Sequence, residues 1–284
     1  MFTKLLTLFL FLSTAQAKVV STLPEFSWVA KQLLPSVENI SLLEGVEDPH
    51  FVDASPSFVF KLAKAKVLIL NGLELEAGWI PAVIQMSGNA QIQPGAKGYC
   101  NASSKVQVIG KLKNFDRSMG DVHAQGTPHY TLSLTKMVNV AQGIKDCLIK
   151  AGYDSKQLEK NYLQLKKRFE NLNTELKKKW IKKKIFYVYH REFNYLVADF
   201  PIVLKESIEA VPGILPSANH LVKMAKLSKV DKPIKVIASY TAPKKVLAKF
   251  KEISGIPFLK LRLHPNRDED YLDFMRSFHN LLLQ

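Results

Sequence analysis

Seven histidines carry most of the chemistry in this sequence, and four of them stand where strands and loops are predicted to meet. His190 and His264 follow apolar runs typical of buried strands, whereas His50 and His129 each follow a proline. Because proline fixes its own backbone angle and restricts the residue before it, it can hold a ligand-bearing loop in place. Neutral imidazole binds Zn²⁺, and without sulfur ligands it suits zinc better than hard ions. The pattern predicts a zinc site built from His50, His129, His190 and His264, although any one histidine alone is as compatible with a surface or core position.

Other side chains can support such a site. His123 precedes His129 in a loop rich in Gly, Asp and Ser, where it can capture metal, support a ligand or be a plain loop residue. Glu209 is a possible acceptor for the second nitrogen of a ligand imidazole, or a solvated carboxylate. Such acceptors matter because they fix which nitrogen faces the metal. His220 and His279 fall on predicted helices and are interpreted as structural or surface residues.

Strands that alternate with helices must position these groups, and this alternation predicts parallel sheets with helical crossovers. In open sheets of this kind, ligand groups gather at strand ends. Strands are predicted at residues 18–21, 40–43, 67–71, 106–109, 185–189, 234–239 and 258–263. Helices are predicted at residues 26–34, 56–65, 79–86, 134–151, 192–197, 217–227, 244–254 and 270–283, with Ser217 as an N-cap.

A long helix is predicted at residues 155–183, where apolar residues recur every three or four positions between charged ones. It suits a strut between two lobes, and a coiled-coil partner helix is compatible with the same pattern. A chain of 284 residues is also too long for one ordinary core. The expected fold is α/β, with two lobes that are each a mostly parallel sheet flanked by helices, joined by one long rigid helix. The expected divisions are 18–152, 153–183 and 184–284.

The first 17 residues are typical of a secretory signal peptide. A positive charge at Lys4 precedes an apolar run, and Ala15 and Ala17 supply the small residues of a cleavage site. The apolar run is too short to span a bilayer. Lys18 stands where a lipoprotein would need cysteine, so we expect a periplasmic protein without a lipid anchor. The alternative is a buried N-terminal helix.

The cysteines and the charge narrow the class of protein further. In an oxidising compartment, Cys100 and Cys147 are candidates for a disulfide, the alternative being two buried thiols. The net charge of +15 owes much to the lysines of residues 177–184. A basic patch can bind nucleic acid, but the signal peptide argues against it and no recognisable nucleic-acid motif appears. A solvated face, or attraction to an anionic membrane surface, fits better.

Several segments together resemble the solute-binding proteins of zinc and manganese ABC importers, and the likeness runs from Val19 to the C-terminus. The segments are residues 45–51, which end in Asp-Pro-His-Phe, residues 70–76 (Leu-Asn-Gly-Leu-Glu-Leu-Glu), residues 78–81, residues 116–123, residues 128–133, residues 189–195 and residues 270–275.

This resemblance implies two lobes joined by a rigid helix, with metal held between them by His50, His129 and His190. The family's fourth ligand is usually a carboxylate after a strand of the second lobe, where this chain has His264. His264 could bind and give an all-histidine site that favours Zn²⁺ over Mn²⁺, or Asp268, Glu269 or a water could complete the site. The resemblance further implies a monomer that hands its metal to a membrane permease.

Other functions are compatible with parts of the pattern. A manganese-binding member of the same family is one, and a metal-binding adhesin is another. A zinc hydrolase would need an open coordination position and a nearby general base. Glu192 is the best candidate for that base, but no His-Glu-x-x-His or Gly-x-Ser-x-Gly motif appears. The sequence therefore favours a metal carrier that is not an enzyme.

Overall fold

The structure is a computed structural model that describes residues 18–112, 116, 119–120 and 122–284. The predicted signal peptide, residues 1–17, lies outside the described residues. Among the described residues, every helix is either too short or too polar to cross a bilayer.

The N-terminal half, from β1 to α4, contains a four-stranded parallel sheet in the order β2-β1-β3-β4. Its strands are short, and the two central ones are almost entirely buried, as expected for a sheet covered by helices on its faces. The elements are β1 (Lys18–Ser21), α1 (Pro24–Leu33), β2 (Glu38–Ser41), α2 (Pro56–Ala63), β3 (Ala65–Leu70), α3 (Ile80–Met86), β4 (Tyr99–Asn101) and α4 (Leu134–Lys150).

The C-terminal half, from β5 to α9, repeats this plan with a parallel sheet in the order β6-β5-β7-β8. The first strand of each half therefore lies between the second and the third. The elements are β5 (Lys184–Val188), α6 (Leu196–Asp199), β6 (Ile202–Ser207), α7 (Ala218–Asp231), β7 (Lys235–Ser239), α8 (Lys244–Ser254), β8 (Phe258–Leu261) and α9 (Tyr271–Leu283). The predicted fold of two parallel sheets flanked by helices is confirmed.

A long helix, α5 (Ser155–Lys179), connects the two halves. The Asp154 side chain caps its first turn by accepting a hydrogen bond from the Gln157 backbone N–H. Its apolar stripe is buried along its whole length. The buried residues of the stripe are Leu158, Tyr162, Leu165, Phe169, Leu172 and Leu176.

The last helix, α9, returns to the N-terminal half and closes the structure. The Tyr271 ring on α9 lies 5.7 Å from Trp28 on α1 and 6.0 Å from Phe169 on α5, measured between ring centroids. The Tyr271 hydroxyl donates to the Thr131 carbonyl, just before α4. One apolar core consequently runs from β1 through α5 to α9 and joins the two sheets.

The strand predicted at residues 106–109 is wrong, because the edge of the sheet is formed by β4 instead. Val106 closes a 3₁₀ turn by donating to the Ser103 carbonyl, so the chain leaves the sheet there. The segment that follows pairs with the loop before His129: the Thr127 N–H donates to the Ile109 carbonyl. Val106 is thus buried without forming a strand, and Ile109 is exposed.

Smaller differences occur near the long helix and in the C-terminal half. The long helix ends at Lys179 rather than residue 183, since Trp180 turns into the core. The helix predicted at 192–197 is a 3₁₀ turn, Arg191–Phe193, followed by the short α6. No strand was predicted at β6, whose last three residues are polar. The predicted N-cap is confirmed, since the Ser217 side chain accepts from the His220 N–H.

Both cysteines are free thiols in the structure and are neighbours. Cys100 on β4 is buried, Cys147 on α4 is partly exposed, and the two side chains share a hydrogen bond. Burial, and then the contact with Cys147, raise the pKa of the Cys100 thiol. A disulfide between them stays a prediction.

His279 on α9 is fully buried against the end of α5. The Trp180 indole N–H donates to His279 Nδ1 at 3.1 Å, and the Phe200 ring lies 4.2 Å away between centroids. Burial, with a smaller contribution from the Lys179 charge, lowers the pKa of His279 to about 3. The imidazole is therefore neutral and structural, in agreement with the interpretation from sequence.

This buried imidazole predicts a pH dependence of stability. Its pKa in the folded state lies below the usual 6.5 of the unfolded chain, so its stabilising contribution is complete above pH 6.5 and is lost as the pH falls toward 3. Between pH 7 and pH 5, the wild-type protein should lose about 2 kcal/mol of unfolding free energy more than His279→Phe does. Urea titrations of both proteins in chelator would measure this, and equal losses would contradict it.

Candidate metal centre

The two sheets present the carboxyl ends of their strands to the same region, and the predicted histidines lie there. Parallel sheets place ligand groups in the crevice outside these ends, where the strand order reverses. His190 comes two residues after β5, and His264 comes three residues after β8. His50 and His129 come from loops of the N-terminal half.

The His50 loop is held by its own neighbours. The Asp48 carboxylate accepts hydrogen bonds from the His50 backbone N–H at 3.1 Å and from His50 Nδ1 at 2.7 Å. The Trp79 indole N–H donates to the Pro49 carbonyl at 2.9 Å, which pins the loop against the start of α3. This leaves His50 Nε2 directed away from Asp48.

His129 is the most enclosed of the predicted N-terminal ligands, with 6% of its surface exposed. The Asn71 side chain, just after β3, donates to the Pro128 carbonyl at 3.2 Å. The Tyr130 hydroxyl donates to the Asn71 carbonyl at 2.7 Å, so both neighbours of His129 are fixed to the end of β3. The buried His129 Nε2 has no hydrogen-bond partner in the structure. A buried nitrogen with an unused lone pair is what a metal ligand presents.

The tightest group of nitrogens in the described part of the chain combines His50 and His129 with His123. Their ligand atoms all lie within 4.8 Å of one another. His50 Nε2 and His123 Nε2 are 3.1 Å apart, and the His50 and His129 ring centroids are 5.4 Å apart. His123 was predicted only as an accessory residue, and the structure brings it as close as the two predicted ligands.

His190 reaches the same cluster from the C-terminal half. Its ring lies 6.3 Å from the His129 ring, edge to face. Its Nδ1 contacts the Glu209 carboxylate at 2.8 Å, and Glu209, just after β6, is tied to β5 by donating its N–H to the Tyr189 carbonyl. The supporting role predicted for Glu209 thus corresponds to a specific contact with His190.

His264 is buried at 5% exposure and lines the same cavity as His50 and His129. Its Nδ1 contacts Glu25 on α1, a fully buried carboxylate, at 2.8 Å. Asp268, the oxygen donor considered in its place, is exposed and takes no part in the walls of the cavities around the histidines.

One arrangement recurs at these histidines: a carboxylate holds Nδ1, and Nε2 is left for another partner. The pairs are His50 with Asp48, His190 with Glu209 and His264 with Glu25. A carboxylate accepts only, so each Nδ1 carries a hydrogen, and in the neutral ring Nε2 keeps a lone pair. Metal-bound histidines commonly have this support. The residues present therefore fit a site for a divalent metal with an affinity for nitrogen.

The electrostatics of the cluster favour neutral rings at its centre. Burial, and then the nearby imidazoles of His50 and His190, lower the pKa of His129 well below its usual range. For His264, burial alone would lower the pKa, but the Glu25 charge and hydrogen bond outweigh it and raise the pKa. Burial raises the pKa of Glu192, a carboxyl group that also faces this cluster.

Comparison with known proteins identifies the family. The sequence profile described as "ZnuA: Zinc-uptake complex component A periplasmic" matches residues 19–282. The chain belongs to the ZnuA family. The resemblance to solute-binding proteins of zinc and manganese importers is thereby confirmed.

Curated relatives of the ZnuA-family chain include two streptococcal lipoproteins. The zinc-binding lipoprotein AdcA of Streptococcus pneumoniae R6 is 23% identical over 222 residues, 75% of this chain and 43% of AdcA. The manganese ABC transporter substrate-binding lipoprotein scaA of Streptococcus gordonii is 28% identical over 170 residues, 59% of this chain and 53% of scaA. The chain thus spans about half the length of the curated relatives it matches.

Solved structures share the fold at low identity. A crystal structure of ZnuA has a TM-score of 0.76 at 21% identity and covers 94% of this chain and 98% of that chain. The periplasmic zinc-binding protein TroA from Treponema pallidum has a TM-score of 0.76 at 14% identity, with the same coverage. FpvC from Pseudomonas aeruginosa in complex with Mn²⁺ has a TM-score of 0.77 at 17% identity, over 94% and 97% of the two chains.

Sequence reasoning missed several groups at this site. Asp48 could have been found, because it stands two residues before His50 in Asp-Pro-His. Glu25 could not, since 239 residues separate it from His264 and only the fold joins them. Glu192 was considered only as a hydrolase base, and its position facing the histidines depends on the turn after β5.

The carboxylate pairs predict the tautomer of each ring. In protein kept metal-free with a chelator at pH 8, the rings of His50 and His190 should be mainly in the Nδ1–H form. The reason is that Asp48 and Glu209 accept that hydrogen. Two-bond ¹⁵N–¹H correlation spectra would identify the forms. Glu209→Gln should change the pattern of His190 alone, and exposed Glu206→Gln on β6 should change neither. Mainly Nε2–H rings in the wild-type protein would contradict the arrangement.

Proposed function

We propose that this protein binds one Zn²⁺ ion per chain between its two halves and delivers it to the membrane permease of an ABC importer. The observation that carries the proposal is the convergence of imidazoles from both halves, three of them held by a carboxylate on Nδ1. Membership of the ZnuA family supports a role in uptake. In this proposal the protein is a monomer that carries metal in the periplasm and is not an enzyme.

The ligands we propose are His50, His129, His190 and His264. Zn²⁺ takes four ligands in a closed site, and five imidazoles line the three cavities at the cluster, so one is left outside the proposed set. We assign that place to His123, because it comes from a loop, whereas His190 and His264 are fixed by carboxylates from the ends of other elements. His123 would then receive incoming metal or support His50, whose Nε2 it approaches at 3.1 Å.

The choice of zinc follows from the donor atoms. Imidazole suits Zn²⁺, whereas Mn²⁺ prefers carboxylate, carbonyl and water oxygens. The relatives include a protein named as zinc-binding and another named for manganese, so family membership alone leaves the metal open. Because the four proposed ligands are all histidines, zinc is the better fit to this chain.

Zinc titration of chelator-stripped protein tests this proposal. Calorimetry with a competing chelator should give one tight Zn²⁺ site and weaker Mn²⁺ binding. His129→Ala and His190→Ala should each weaken zinc binding by more than about 100-fold, since even a lost supporting hydrogen bond costs about 10–100-fold. Binding should also weaken below about pH 6 as ligand imidazoles take up protons.

His220→Ala on α7 is the matched control and should bind zinc as the wild-type protein does. Tight binding that survives His129→Ala and His190→Ala would overturn the site, and tighter Mn²⁺ than Zn²⁺ binding would overturn the choice of metal. In cells, loss of the gene should impair growth under zinc limitation, and His129→Ala should fail to restore it. Restoration by that variant would overturn the carrier role.

We also propose that Cys100 and Cys147 form a disulfide in the exported protein. Their contact between β4 and α4 supports this. The bond would close a long loop, for which stabilisation of about 2–4 kcal/mol is typical. Protein recovered from the periplasm after alkylation of free thiols should have a mass two hydrogens lower than that of the reduced protein. The Cys147→Ser variant should unfold at a lower urea concentration than the wild-type protein. Two alkylated cysteines in the periplasmic protein would contradict the bond.

A further inference from the structure

Glu192 is a buried carboxylate that faces the histidines from the turn after β5. It has 7% of its surface exposed and lies two residues after His190. It contributes to the wall of the cavity that holds His50, His129 and His264, and also to the adjoining cavity beside His190. Its Oε2 is buried and has no hydrogen-bond partner in the structure.

The other carboxylates around the cluster already have a histidine nitrogen to hold. Asp48, Glu209 and Glu25 each accept from an imidazole Nδ1 at 2.7–2.8 Å. Glu192 instead shares a hydrogen bond with Ser239, at the end of β7. Its buried Oε2 has no partner, and the residue lines both cavities beside the imidazoles.

A buried carboxylate oxygen without a partner is costly unless something compensates it. A divalent ion surrounded only by neutral imidazoles keeps its whole charge in a buried place, and a carboxylate oxygen beside it would offset part of that charge. If a cation bound in this cavity beside Glu192 Oε2, the attraction between the two would offset the free-energy cost of burying each charge.

We propose that Glu192 binds the metal through Oε2 and supplies the anionic oxygen of the site. This inference rests on the proposed function and adds one oxygen to its histidine nitrogens. Because carboxylate oxygen suits Mn²⁺ better than imidazole does, Glu192 would also set how much Mn²⁺ the site retains. Its loss should reduce binding of Mn²⁺ more than binding of Zn²⁺.

Glu192→Gln tests this inference, since the amide keeps the shape of the side chain and removes the charge. Calorimetry should show Zn²⁺ binding about 10–100-fold weaker and Mn²⁺ binding weakened by a larger factor. X-ray absorption of the zinc-loaded wild-type protein should fit nitrogen with an oxygen at about 2.0–2.2 Å, and the oxygen contribution should fall in the variant. Glu206→Gln, an exposed glutamate on β6, is the matched control.

Thermal unfolding separates this role from a structural one. If Glu192 serves the metal, Glu192→Gln in chelator should unfold at the wild-type temperature or above, and the upward shift caused by added zinc should shrink. A lower unfolding temperature in chelator with an unchanged zinc-induced shift would overturn the inference. Unchanged affinities for both metals would also overturn it.

The outcomes distinguish this inference from the proposed function. The role of Glu192 alone fails if Glu192→Gln binds zinc as tightly as the wild-type protein while His129→Ala loses tight binding. If wild-type protein shows no tight metal site, the proposed function fails first.

Discussion

The structure depends on keeping several imidazole rings neutral, oriented and close together inside a protein. Burial disfavours their charged form, as the lowered pKa of His129 shows. Orientation comes from carboxylates, which hold Nδ1 of His50, His190 and His264. Both requirements need partners that are distant in sequence, so the fold has to bring two halves of the chain together.

The helices α5 and α9 meet this requirement. They join the two sheets through one apolar core, in which Tyr271 packs on Trp28 and Phe169. The contact between Glu25 and His264 crosses the same junction, from α1 to the loop after β8. A shift of the halves against each other would therefore expose apolar surface and also separate a buried charged group from its partner. The packing of the two halves and the positions of the clustered histidines thus depend on each other at this junction.

The sequence predicted the fold well because its signals are local. Buried parallel strands read as apolar runs, and the stripe of α5 repeats over its whole length. The strand at 106–109 failed because Val106 is buried in a 3₁₀ turn without sheet pairing, while Ile109 is exposed. The candidate ligands followed from strand ends and proline, but their partners did not. The Glu25 contact with His264 is set by tertiary packing, and no local pattern reports it.

The repeated strand order explains why the site can combine such separate parts. Each half has its first strand between the second and third, so each offers a crevice at the carboxyl ends of its strands. Two such crevices that face each other supply ligands from both sides, and neither half holds all the histidines. The unpartnered His129 Nε2 and Glu192 Oε2 are unfavourable for a protein that only has to fold. A bound cation would offset their cost, so in the proposed site the groups that are unfavourable for folding would contribute to the affinity for metal.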